Sequence, residues 1–123
     1  MKWTALIVIL FITSCIKLED DDPCSKYVRV SLINKGTSPA RLMVSNGLDS
    51  IVIFANSNDT ISQKLCFSES LKTDGSYRVR FSDSKKDLGY SFGYFTNGLP
   101  LEKRLNFTWA NDTLHRKSVD RDY

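Results

Sequence analysis

The chain predicts an all-β fold of about eight antiparallel strands packed as a sandwich, and three observations carry that expectation. From Tyr27 onward, apolar and polar residues alternate over stretches of about five to nine positions. Turn-forming residues break the alternation about every ten positions, the spacing of short strands joined by tight connections. Beyond the N-terminal apolar run, no stretch of useful length carries apolar residues at helical spacing.

Side chains of a strand point alternately to its two faces. Tyr27-Val28-Arg29-Val30-Ser31-Leu32 therefore puts Val28, Val30 and Leu32 on one face and Arg29 and Ser31 on the other, and Asn34-Lys35-Gly36 ends it. Arg41 to Val44 and Ser50 to Phe54 flank Ser45-Asn46-Gly47; Asn-Gly is a hairpin signal because both residues tolerate positive φ. Ser50-Ile51-Val52-Ile53-Phe54 is apolar on both faces, which predicts a central strand. Asn56 to Asp59 turn the chain into Thr60 to Phe67, where Ile61, Leu65 and Phe67 share a parity and Cys66 does not. After Asp74-Gly75, Tyr77, Val79 and Phe81 point inward and Arg78 and Arg80 outward. Residues 82–87 make a polar loop. Tyr90 to Phe95 then alternate aromatics with small residues, leaving Gly89, Ser91 and Gly93 on the opposite face. Asn97-Gly98-Leu99-Pro100 is the next turn, and the strand behind it aligns Leu101, Leu105, Phe107 and Trp109. Asn111-Asp112 turn into a last strand, Thr113 to Lys117, and residues 118–123 are expected to fray.

Sequential hairpins of this kind suit a two-sheet sandwich of immunoglobulin-like or transthyretin-like type, with a small closed barrel as the alternative. The expected core is Val28, Val30, Leu32, Leu42, Val44, Ile51, Ile53, Ile61, Leu65, Tyr77, Val79, Phe81, Phe92, Leu105, Phe107 and Trp109.

The N-terminus is of a different kind. Lys2 precedes Ala5-Leu6-Ile7-Val8-Ile9-Leu10-Phe11-Ile12, too short to cross a bilayer, which takes about 20 apolar residues. It reads as a secretory signal peptide over residues 1–14. Its end, Ile12-Thr13-Ser14-Cys15, resembles the bacterial lipobox: an aliphatic residue, two small residues and a Cys. The resemblance implies cleavage before Cys15 and acylation of its thiol with the two or three chains that make an anchor stable; one chain holds only marginally. Lys17-Leu18-Glu19-Asp20-Asp21-Asp22 resembles the acidic export signal of Bacteroidota lipoproteins, although such a run also makes an extended tether by self-repulsion. The chain thus resembles a small Bacteroidota lipoprotein, specifically over residues 1–22 and only in architecture over 24–123. That implies the outer membrane and its cell-surface side, with the periplasmic face as the alternative. The organisation expected is a signal peptide (1–14), lipidated Cys and tether (15–23), β-sandwich (24–117) and tail (118–123).

With Cys15 acylated, Cys24 and Cys66 form an even pair outside the reducing cytosol. A bridge would close a loop of about 43 residues, which the chain-entropy model values at roughly 4 kcal/mol; two separate thiols are the competing reading. Because Cys66 is off the apolar parity, a bridge needs either a bond on the polar face or a bulge that shifts the register. Asp49-Ser50-Ile51, Asp59-Thr60-Ile61 and Asp112-Thr113-Leu114 resemble the Asp-Ser/Thr-aliphatic acceptor pattern of Bacteroidota O-glycosylation, which implies Ser50, Thr60 and Thr113 as acceptors. Asp in a turn ahead of a strand gives the same triplet for local reasons. Asn58, Asn106 and Asn111 head Asn-x-Thr sequons, relevant only in a host with the eukaryotic pathway.

The chain offers little for catalysis, and no enzyme, cofactor or metal site is expected. His115, the single histidine, has no nucleophile motif around it. Asp20 to Asp22 lie in the tether, and Asp83 and Asp87 bracket two lysines in a loop. Two Cys and one His are too few for a structural zinc site without carboxylates, and no glycine-rich phosphate loop follows a strand. From residue 24 onward, 15 Lys and Arg stand against 10 Asp and Glu, a balance of +5. That charge suits anionic glycans or a polyanionic cell surface, but without a basic stripe and interleaved aromatics it does not suit nucleic acid. Tyr90, Phe92 and Tyr94 read as core, with a sugar-stacking platform as the alternative. The function expected is a membrane-anchored, non-catalytic module that binds a glycan or protein, or shields the surface. The alternatives are an inhibitor or immunity-type protein acting on a toxin or hydrolase, and a structural subunit adding a strand to an envelope neighbour.

Overall fold

The computed structural model describes residues 24–121; the signal run, Cys15 and the acidic tether lie outside the described residues. Alternation produces nine strands: β1 (Tyr27–Asn34), β2 (Ala40–Ser45), β3 (Ser50–Ala55), β4 (Thr60–Cys66), β5 (Gly75–Ser82), β6 (Asp87–Thr96), β7 (Leu99–Pro100), β8 (Glu102–Ala110) and β9 (Thr113–Asp120). They form two sheets, β4-β1-β8-β9 and β3-β2-β5-β6-β7. No helix occurs among the described residues. Among the described residues no ladder joins the two sheets at either side, so they form a sandwich and not a closed barrel. An immunoglobulin constant-type domain pairs its first two strands in one sheet, whereas β1 and β2 lie in different sheets here.

Several expectations need correction. The sandwich is not antiparallel throughout, because β1 runs parallel to β8, Leu32 beside Phe107. No hairpin links those two strands, so nothing local forces opposite directions. The extra strand is β7, only two residues long. β3 is an edge strand, not a central one: its inward Ile51 and Ile53 are buried, while Phe54 on its other face is 68% exposed. Apolarity on both faces here marks an uncovered side chain. The last strand continues through Asp120 against β8, so residues 118–120 are paired rather than frayed.

The core sits between the sheets much as the alternation predicts, with two exceptions. Ile61 lies beside Leu32 but on the edge strand β4, and is 37% exposed. Phe92, in β6, is half-buried, its ring 5.6 Å from that of Phe107. Leu101 is likewise exposed, because it occupies the bend between β7 and β8 rather than a strand. Strand ends and loops add Ala40, Ala55, Phe67, Leu71 and Phe95 to the core. Phe67, Tyr77 and Phe95 form an aromatic cluster with centroids 5.5 to 6.1 Å apart, and Trp109 packs on Phe81 at 4.4 Å.

Buried polar groups hold the strand ends. Asn34 is fully buried; its amide donates to the Ser38 and Ala55 carbonyls at 2.9 and 3.1 Å, and its Oδ1 accepts from the Gly36 N–H at 2.9 Å. The connection β2–β3 is a four-residue loop in which the Asn46 Oδ1 accepts from the Leu48 and Asp49 N–H groups. The two tightest hairpins take both central residues at positive φ, Asn97 and Gly98 at 51° and 71°, Asn111 and Asp112 at 53° and 59°. Two positive φ values in a two-residue loop are the type I′ turn, whose twist matches that of the strands.

A bulge in β6 has a defined consequence. Gly75 stands opposite Phe95 but Tyr77 opposite Phe92, so Gly93 and Tyr94 together oppose the single residue Ser76, one residue more than the ladder takes, with Gly93 at φ 77°. A bulge leaves backbone groups without ladder partners, and the Glu102 carboxylate, 6% exposed, accepts the Tyr94 N–H at 3.0 Å. Burial raises the Glu102 pKa above its ordinary value, against the pull of that hydrogen bond, and the Asp120 charge raises it further. The folded chain then binds this proton more tightly than the unfolded one, so stability falls as pH rises from the ordinary carboxylate value through the raised one. Glu102→Gln should flatten that slope in denaturation curves taken from acidic to neutral pH while its amide oxygen still accepts from Tyr94. Glu102→Ala leaves the N–H unpaired and should cost about 1–3 kcal/mol. An unchanged pH slope in Glu102→Gln would refute the assignment.

Candidate binding face

Strand alternation turns the polar residues of the four-stranded sheet outward, and register sets them in rows. Lys64 of β4, Arg29 of β1 and Arg104 of β8 stand side by side. The next row is Ser62, Ser31, Asn106 and Lys117, and the one after it Thr60, Ile33, Thr108 and His115. Neighbouring strands are about 4.8 Å apart, so three cations share roughly 10 Å of one sheet face. Like charges directly opposite cost stability. The carboxylates of these four strands, Glu102 and Asp120, alternate to the other side.

Tyr27 lies at one end of the face, with the Lys64 ammonium 4.7 Å from its ring centroid and the Arg121 guanidinium 5.7 Å away. Arg121 also donates to the Tyr27 carbonyl at 2.6 Å. The hydroxyls of Ser31 and Ser62 are hydrogen-bonded at 2.7 Å. Beside the cation row an open hollow of about 490 Å³ is bordered by Ser31, Thr60, Asn106, Thr108, His115 and Lys117. Ile33 and Arg116 complete its lining, so an apolar side chain lies among hydroxyls, an amide, an imidazole and two cations.

The outer face of the five-stranded sheet is less concentrated. Gly89 and Ser91 floor a shallow hollow of about 420 Å³ between Met43, Arg78 and Arg80. Arg80 is engaged by Asp87 through two hydrogen bonds of 3.2 and 3.3 Å, which hold the Asp87 carboxyl below its ordinary pKa.

Cys24 and Cys66 are joined by a disulfide, Cα to Cα 5.9 Å. Cys66 pairs with Tyr27 in an unbroken β1–β4 register, so the bond lies on the outer, polar face and no bulge intervenes. Ser50, Thr60 and Thr113 are each exposed at the start of a strand and are not gathered into one site. Asp49 braces the β2–β3 loop instead, accepting from the Ser68 N–H at 2.8 Å, from the Ser68 hydroxyl, and from the Asn46 amide at 3.2 Å. Burial alone would raise its pKa, but these hydrogen bonds together outweigh burial and hold it low. Asp83 accepts from the Lys85 and Lys86 N–H groups, both at 2.8 Å, and so forms the turn. Of the three aromatics, Tyr90 and Phe92 pack against the core beneath Arg116, whose guanidinium is 4.9 and 5.3 Å from their rings. The bulge turns Tyr94 outward instead, 45% exposed, so no three-ring platform forms. Among the described residues no group of three or more His, Cys, Asp or Glu could hold a metal.

The cation row escaped sequence reasoning. Parity alone turned Arg29 outward, yet Lys64 and Arg104 lie far from it along the chain, and only the register makes them neighbours. The signal that could have found it is the outward positions of the strands around β1, which carry cations and hydroxyls and no carboxylate. No family model, curated protein or solved structure matches the chain.

Proposed function

We propose that this protein is a lipid-anchored, non-catalytic binding module displayed on the outer face of a bacterial outer membrane. The observation that carries the binding part is the outward face of the four-stranded sheet, where Arg29, Arg104 and Lys117 stand among hydroxyls on neighbouring strands. Such a face costs stability through like-charge repulsion, and a ligand that neutralises it gives that cost a purpose. The address rests on the lipobox at Ile12 to Cys15 and the acidic run Glu19 to Asp22. Cys24 follows that run closely and is fixed to the sheet by its disulfide, so the anchor would be attached to a braced end of the domain. Ser50, Thr60 and Thr113 are exposed as glycan acceptors need to be.

Protease treatment of intact cells should remove the domain, whereas full protection would overturn surface display. The intact mass of the membrane-extracted protein should equal the chain from Cys15 plus acyl groups, with further hexose-type increments if the three hydroxyls are modified. A mass without acyl groups would end the anchor reading, and failure to retain any glycan or protein ligand on an array would end the binding reading.

A further inference from the structure

We propose that the outward face of the five-stranded sheet rests on the surface of the lipid leaflet to which the chain is anchored. The inference rests on the lipid-anchor reading and adds which side of the domain the membrane covers. Register puts Phe54 beside Arg41, and Val52, Met43, Arg80 and Gly89 in the next row, with Arg78 and Ser91 beyond it. Because the paired Phe95 and Pro100 are buried, Tyr94 and Leu99 next to them turn outward. The large exposed apolar residues therefore gather on this side: Phe54, Tyr94 and Leu99 on the face, Leu48 in the β2–β3 loop and Leu101 just after β7, with only Ile61 on the other sheet. Outward strand positions carry three arginines against one carboxylate, Asp87, which engages Arg80. Asp83 stands at the rim beside Arg41 and Phe54.

Three observations identify the occupant. Nine residues lead from Cys15 to Cys24, a reach of at most about 30 Å, so an acylated Cys15 keeps the domain against its own leaflet. A contact too weak to hold a free protein suffices for a tethered one. Arginines complement an anionic lipid surface, and tyrosine, phenylalanine and leucine side chains settle at the boundary of headgroups and acyl chains. A second copy fits less well, since a two-fold contact through this face would set its arginines against their own images. With this sheet on the membrane, the face bearing Arg29, Arg104 and Lys117 points away from it, where a ligand can reach it.

The test is fluorescence quenching of the full chain, expressed with its anchor and reconstituted in vesicles of phosphatidylethanolamine and phosphatidylglycerol. Phe54→Trp keeps the face apolar, and Ser62→Trp, at an exposed position of the other sheet, is its control; Trp109 is buried in both. Acrylamide should quench the indole of Phe54→Trp severalfold less than that of Ser62→Trp, and bromine-labelled lipid should quench the first and not the second. Adding Arg41→Gln and Arg78→Gln should lower the bromolipid quenching, since each arginine at an anionic leaflet is worth about fivefold in surface affinity. Arg29→Gln with Arg104→Gln should leave it unchanged. Should Phe54→Trp misfold, Leu99→Trp, at an exposed turn position, gives the same comparison. Equal quenching of the two indoles overturns the inference and leaves the anchor standing, whereas a chain that does not float with the vesicles overturns both. Protection from acrylamide without bromolipid quenching would give the face to a second copy or another protein and overturn the leaflet as its occupant.

Discussion

Trp109→Ala should lower the unfolding free energy by about 3–5 kcal/mol, the cost of truncating a large buried aromatic. Trp109 is 2% exposed, its ring stacks on Phe81 at 4.4 Å, and the chain at Gly36 passes so close that a Cβ there would stand 2.8 Å from the indole Cδ1. Its backbone is fixed as well, the Trp109 carbonyl accepting the Lys35 N–H at 2.8 Å. Collapse around a truncated side chain would therefore have to move the β1–β2 connection together with Asn34, whose three hydrogen bonds tie the same corner. In a domain of this size each kcal/mol shifts the midpoint by about 4–8 °C, so the loss is a large part of a total near 5–15 kcal/mol. Guanidinium titration followed by far-ultraviolet circular dichroism reads it directly. A loss below about 1 kcal/mol would mean that the corner repacks and that Trp109 is not its keystone.

Gly98→Ala should cost about 3 kcal/mol or more, well beyond the usual penalty for a side chain at positive φ. Two effects coincide there. Gly98 has φ 71° in the two-residue turn before β7, a left-handed conformation that costs an L-residue roughly 1–2 kcal/mol. A Cβ at this position would also lie 1.8 Å from the Leu71 carbonyl oxygen and 2.8 Å from its carbon. Those are backbone atoms of a segment tied back to the turn by the Gly98 N–H to Thr73 carbonyl bond at 2.9 Å. Gly47→Ala separates the two contributions, since Gly47 has φ 98° with nothing within 4 Å of its would-be Cβ, and should cost only about 1 kcal/mol. Equal losses in the two variants, measured by thermal unfolding, would refute the contact with Leu71 as the cause.

Fold class was legible because alternation is a local property. Val28, Val30 and Leu32, or Tyr77, Val79 and Phe81, declare their inward face within one strand, and every one of them is buried. Edge and centre were not legible. The pattern of β3 reads the same whether a strand has one neighbour or two, and the exposure of Phe54 follows from strand order, which no local pattern encodes. The β6 bulge was hidden for a similar reason: Gly93 looked like one more small residue in an alternating series. Only the opposed register of Gly75 and Tyr77 shows that it redirects Tyr94 and calls for Glu102 as an acceptor. The disulfide was legible as a pairing and ambiguous in placement, and an unbroken β1–β4 register decides for the outer face. The outward face of the four-stranded sheet was the least legible feature, since it joins residues of β1, β4 and β8 that only the sheet order brings together.

The parallel β1–β8 ladder sets the order in which the domain can assemble. β1, the first strand of the described residues to be synthesised, sits in the interior of its sheet between β4 and β8. Its first neighbour arrives with β4, and the bond between Cys24 and Cys66 closes across that ladder. Its second neighbour arrives only near the end of the chain, when residues 104–109 have followed. Pairings of such long range are paid for in loop entropy before contact energy is gained, and they fold slowly. The four-stranded sheet therefore stays half-built until almost the whole polypeptide has been made, and β1 waits for its second neighbour while the five-stranded sheet can already form.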